Sequence, residues 1–218
     1  MKSLVLKDLY NIGHNAKTMV LILLVVAACM IPFYGVSSYM ITSGILCSMM
    51  IITTFSFDDN CKWMKYAMVT PVIKKDMVTG KFIVLLIFSA IGAVNGLIIG
   101  LIGGIIAHKV HFYNISSVLT LLLISMVSFV IAEVFGSMSI PLLFRFGAEK
   151  ARMFSFVSCI VPAGICFGIY EILTLFGVSF TDWVINILLC SSPLFALGWN
   201  LVMYRISYAV FAKKELLY

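Results

Sequence analysis

DDNCKWMKYAMVTPVIKKDMVTGK, residues 58 to 81, separates two long apolar runs and holds eight of the chain's 24 charged residues. So dense a charged block does not lie in hydrocarbon, where a single Lys or Asp at the bilayer centre costs about 2.5 to 3.5 kcal/mol. It is a connection between membrane spans, and it carries helical signals of its own. Trp63, Tyr66 and Ala67 recur at helical spacing, and Thr70 before Pro71 reads as an N-cap with proline at the first helical position. A second short helix is expected to follow, with Ile73, Met77 and Val78 on one side and Lys74, Lys75 and Asp76 on the other. The segment is therefore expected to be two short helices joined by a bend.

The rest of the chain agrees with a membrane setting. Its 218 residues are 62% hydrophobic and 11% charged, where soluble domains average about 45 to 50% and 25%. Apolar runs extend over residues 18–34, 37–57, 82–107, 118–144, 153–170 and 183–204, the shortest being 17 and 18 residues. About 20 residues span a bilayer, so six transmembrane helices are expected, in an all-α fold that forms one transmembrane domain over residues 1–218. Ahead of them, residues 1–17 place Leu4, Val5, Leu9 and Ile12 on one helical face, with Lys7, Asp8, Asn11 and His14 away from it. That pattern suits an interfacial amphipathic helix. The basic residues before the first apolar run would also open a signal peptide, but the polar part is too long and no small-residue cleavage site precedes Pro32. Of the six cysteines only Cys61 lies in a polar segment, so neither a disulfide framework nor a zinc site is suggested.

Fourteen of the 15 basic residues fall on one side of this topology, in the N-terminal segment, in residues 58–81, near Arg145 to Arg152 and at the C-terminal end. Lys109 alone falls on the other. Such an asymmetry orients both termini and the 58–81 segment to the cytoplasm. The net charge of +6 is then accounted for by topology and by contact with anionic lipids, and nucleic acid is not an expected partner.

Glu133 is the one acidic or basic residue deep inside an expected span. It reads in two ways: as a functional carboxylate, or as a protonated one bonded to a hydroxyl on a neighbouring helix or to Ser137 on its own. Gly92, Gly96, Gly100 and Gly104 repeat every four residues on one face of the third span, which suits a helix-packing seam. Pro141, Pro162 and Pro193 are candidates for kinks in the last three spans. His108 and His111 lie three apart, but no third ligand is near and a solvated helix end accounts for them. The chain has no nucleophile elbow, no HExxH and no phosphate-binding loop, because Gly80 and Lys81 lead into Phe82 without an upstream glycine. No catalytic residue, metal site or bound cofactor is expected.

Three places carry a family resemblance: Met1, Leu4 and the Lys7-Asp8-Leu9 triplet; the acidic residues of 58–59 with Asn60, Trp63, Tyr66, Pro71, Lys74, Val78 and Lys81; and Ser207 with Lys213, Lys214 and Glu215. In these the chain resembles the small six-span membrane permeases of ABC type 2 transporters from Gram-positive bacteria. Thr70 stands where that family commonly has Leu, and Lys74 where it commonly has Arg. Within the family the chain is similar to membrane subunits of exporters of amphipathic peptide toxins, the phenol-soluble modulin type.

The resemblance implies a type V exporter fold in the bacterial plasma membrane, with a cytoplasmic coupling helix between spans two and three. The permease would pair with a second copy of itself or a paralogue, and with two separate nucleotide-binding subunits that hold ATP and Mg. The coupling residues would be Trp63, Tyr66, Pro71, Lys74, Lys75 and Asp76. Spans two and five would face the two-fold axis and line a substrate path with Thr42, Ser43, Met49, Met50, Thr53, Phe57, Phe154, Phe156 and Ser158. Two other functions fit the same composition: an ATP-independent proton-coupled carrier that uses Glu133, and a membrane scaffold or immunity protein that transports nothing.

Overall fold

The computed structural model describes residues 2–13, 15–67, 73–107, 115–175 and 182–213, and among these every regular element is a helix. In chain order they are α1 (Lys2–Gly13), α2 (Ala16–Tyr34), α3 (Val36–Ser48), α4 (Met50–Asn60), α5 (Trp63–Ala67), α6 (Lys74–Ile106), α7 (Ile115–Phe146), α8 (Ala148–Leu175) and α9 (Asp182–Lys213). Five stretches of the described residues are long and apolar enough to cross a membrane: α2, α3 with α4, α6, residues 119–146 of α7 and residues 191–213 of α9. Helix α8 occupies the place of the expected fifth span and is 28 residues long, but several of its side chains lie outside the described set. The outward faces are apolar, as Leu21, Leu24 and Val25 of α2 and Ile91, Val94 and Ile98 of α6 show. Lipid replaces water as the solvent of such a surface.

Two glycines reverse the chain. Gly35, at φ 89°, joins α2 to α3, and Gly147, at φ 78°, joins α7 to α8. A Cβ strains the backbone in this left-handed region, which explains a glycine at each single-residue turn.

Helix α3 packs on α6 along the glycine seam. A Cβ added at Gly92 would stand 2.7 Å from Cys47 Cβ, one at Gly96 3.2 Å from Met40 Cα, and one at Gly100 3.1 Å from Val36 Cγ1. Gly104 is buried one turn further on. Two apolar clusters fill the bundle. One, around Ile51, Phe55, Leu85, Phe144 and Phe211, lies at the end where Asp58 sits; the other gathers Ile31, Tyr39, Met40 and Leu121.

Two expectations are corrected. The second short helix of the 58–81 segment is not separate, because α6 runs unbroken for 33 residues from Lys74. Gly80 is the one weak helix former near its start and costs about 1 kcal/mol, too little to end a helix whose first turns bury Met77, Val78 and Lys81. Span two runs through Val36–Asn60 as α3 and α4, with Met49 between them in the right-handed helical region and Ser48 Oγ donating to Ile45 O at 2.8 Å. Asp8 does not face away from the apolar side of α1. It is 3% exposed, since Leu4, Asp8 and Ile12 stand four apart on one stripe. Pro141, Pro162 and Pro193 lie inside α7, α8 and α9, each continuous across its proline. Thr70, Pro71, His108 and His111 fall outside the described residues.

Candidate functional site: the charged end of the bundle

Helix α4 ends in two carboxylates, Asp58 and Asp59, where the helix dipole is negative and disfavours them. Each is stabilised by a partner distant in sequence. Asp58 is 3% exposed and Lys81, in the second turn of α6, is 6% exposed. Lys81 Nζ lies 2.6 Å from Asp58 Oδ2, 2.8 Å from Asp8 Oδ2 and 3.2 Å from Thr54 Oγ1. The ammonium hydrogen-bonds to Asp58 and Thr54 and forms an ion pair with Asp8. Thr54 remains free to donate to Ile51 O at 2.7 Å. Lys7 Nζ binds the second oxygen of Asp58 and stands 3.2 Å from Asp8 Oδ1, an ion pair without hydrogen-bond geometry.

Two cations and two anions therefore balance, as burial of charge demands. Aromatic faces complete the shell: Lys7 Nζ is 4.6 Å from the Trp63 ring centre and Lys81 Nζ 4.7 Å from that of Phe55. A cavity beside them has a volume of about 20 Å³, room for one water and no substrate. The cluster ties α1, α4, α5 and α6 together.

Asp59 points elsewhere. Its Oδ2 accepts the backbone N–H of Ala148 at 2.7 Å, capping the first turn of α8 from 89 residues away. Immediately after this pair comes α5, on which Trp63 is half-buried and Tyr66 is 65% exposed. Lys75 is exposed and Asp76 half-buried. Lys74 reaches back to α9, with its Nζ 3.4 Å from Ala212 O and 5.9 Å from the Phe211 ring centre, where a cation complements the helix C-terminus.

Of the residues expected along a substrate path, Ser43 is fully buried between α3 and α6, where it donates to Gly92 O at 3.1 Å. Ser158 is 1% exposed between α8 and α7, with Ser139 Oγ 3.3 Å away. Both serines sit in helix contacts, where a small hydroxyl finds its partner on the neighbouring helix. Thr42, Met49, Met50, Thr53 and Phe57 are half-buried. The side chains of Phe154 and Phe156 lie outside the described residues.

Glu133 is 2% exposed on α7. Its Oε1 bonds Ser89 Oγ of α6, and its Oε2 accepts from Asn200 Nδ2 of α9 at 2.7 Å. Ser137 instead donates to Val134 O. Among the described residues no cluster of three His, Cys, Asp or Glu could hold a metal.

Sequence reasoning missed the burial of Asp8 with Lys81, the cap that Asp59 provides and the part of Asn200. Signals existed for two of them. Lys7, Asp8, Asp58 and Lys81 all belong to the pattern that carried the family resemblance, and Asn200 is an amide inside an apolar run.

The model of a family described as ABC-2 family transporter protein matches residues 3–212. No curated protein matches the chain. The match covers nearly the whole chain, and the chain belongs to the ABC-2 family: it is a multi-pass membrane component of a transporter.

Proposed function

We propose that this ABC-2 family chain is the membrane-spanning subunit of an ATP-driven exporter that moves amphipathic or hydrophobic peptides, or similar amphiphiles, out of a bacterial cell. Six spans cross the plasma membrane with both termini in the cytoplasm, α8 being the fifth. Two copies, or one copy and a paralogue, face each other, and two separate subunits bind ATP and Mg. Helix α5 with the start of α6 is the coupling element on which those subunits push.

The observation that carries this reading is the wiring behind α5. The acidic pair next to it grips α1 and α6 through Lys7 and Lys81, and α8 through Ala148. A displacement of α5 therefore acts on α1 through Trp63 and Lys7, and on α6 and α8 through the two-residue turn into α4. Tyr66 and Lys75 face outward beside it, as a docking surface of aromatic and charged side chains requires. Basic residues concentrated on this side support its cytoplasmic orientation. Thr42, Met49, Met50, Thr53 and Phe57, together with Phe154 and Phe156, line the route between the two halves. They offer apolar bulk and small hydroxyls without a charge, suited to an amphiphile held by many weak contacts.

Co-purification with the product of the neighbouring gene tests the assignment. A Walker-bearing partner is expected, with ATP hydrolysis stimulated by hydrophobic peptides in membranes and that stimulation reduced by bulky substitution at Thr53. Transport by the chain alone in proteoliposomes under a proton gradient would overturn the ATP-driven reading. Stimulation by sodium and by no peptide or lipid would overturn the substrate class.

A further inference from the structure

Ser89 carries one hydroxyl hydrogen and has two acceptors within reach. Its Oγ lies 3.0 Å from Leu86 O on the same helix and also contacts Glu133 Oε1. Were Glu133 ionised, that single hydrogen would be divided between the two, and a full negative charge would sit at 2% exposure inside the bundle.

Among the described residues no cation offsets it. The four ion pairs of the described residues all lie at the Asp58 end and none includes Glu133. Lys81, two turns before Ser89 on α6, is committed to Asp8 and Asp58. Arg145 on α7 and Arg205 on α9 are exposed. Two neutral donors return far less than the solvation an ionised carboxylate loses in such a place.

With a proton on Oε1 each of the three contacts has a hydrogen of its own: Glu133 donates to Ser89 Oγ, Ser89 donates to Leu86 O, and Asn200 donates to Glu133 Oε2. We infer that Glu133 is held as the neutral acid and serves as a hydrogen-bond tie joining α6, α7 and α9, and that it neither binds nor releases a proton during transport. It is a positioning residue. The inference does not depend on the exporter reading, because its first readout is spectroscopic.

Infrared difference spectra of the purified full chain at neutral pH, wild type against E133Q, give that readout. A protonated-carboxyl stretching band that moves in heavy water and is missing from E133Q is expected; a carboxylate band in its place overturns the inference. Glutamine offers Ser89 a donor and Asn200 an acceptor, so E133Q should unfold at the wild-type temperature. Its transport rate in the assembled complex should stay within about twofold of wild type, the range of a change that breaks no contact. E133A removes both contacts and should unfold at a lower temperature. An E133Q chain that folds and no longer transports, or one that fails to fold, contradicts a neutral tie.

Discussion

Asp58 and Asp59 are consecutive residues that hold different neighbours of α4. Asp58 reaches inward to Lys7 and Lys81, while Asp59 reaches across to the backbone of Ala148 at the start of α8. Consecutive side chains on a helix diverge by about 100°, so one turn of α4 serves two neighbours. Past Met49, α4 belongs to the cluster at this end, while α3 before it packs on the glycine seam.

Removing one charge from the cluster unbalances it. Asp58→Asn leaves Lys7 and Lys81 facing Asp8 alone, and the expected loss is about 3 to 5 kcal/mol, the usual effect of an uncompensated buried charge. Adding Lys81→Met restores the balance and should recover part of the loss. Thermal unfolding of the purified chain in detergent is the measurement, and a D58N variant that melts with wild type contradicts the burial argument.

Asp59 acts through geometry rather than charge balance, since it is exposed. Asp59→Ala should destabilise the chain by about 1 kcal/mol, the ordinary value of a helix cap, and Asp59→Asn by only a few tenths. Equal effects of the two substitutions would show that the carboxylate charge, and not its hydrogen bond to Ala148, is what matters.

The glycine seam can be probed by pairs of alanines. Gly92→Ala places a methyl 2.7 Å from Cys47 Cβ and 3.0 Å from Gly44 Cα, so α3 and α6 must part. A loss of about 1 to 3 kcal/mol is expected, as for overpacked cores. At Gly80 the nearest atom is Leu4 Cβ at 3.7 Å, and alanine there should be neutral or stabilising by up to about 1 kcal/mol. The contrast is read in the unfolding temperatures of the two variants.

Trp63 and Tyr66 should separate in their effects. Tyr66→Ala is expected to weaken binding of the ATPase subunit by at least about 1 kcal/mol, roughly fivefold or more in Kd, and to leave the isolated chain's melting unchanged. Trp63→Ala also removes the ring beneath Lys7 and should lower the melting temperature. Pull-down titrations and melting curves on the same preparations measure both. Unchanged ATPase binding in both variants would remove α5 from the coupling role.

Local pattern determined the class of this protein. Long apolar runs broken by a charged block at 58–81 specify an all-helical membrane chain, because hydropathy and helical period act over one or two turns. The same local reasoning placed the glycines of α6 on one face and singled out Glu133. It could not name what any of them meets. Asp8 reads as solvent-facing until Lys81 arrives beside it from α6; Asp59 has no purpose until Ala148 is brought to it across 89 residues. Glu133 acquires Ser89 and Asn200 only when three helices converge. A buried polar group must find a partner, and which partner it finds is settled by how the helices pack, a long-range choice that residue spacing does not encode.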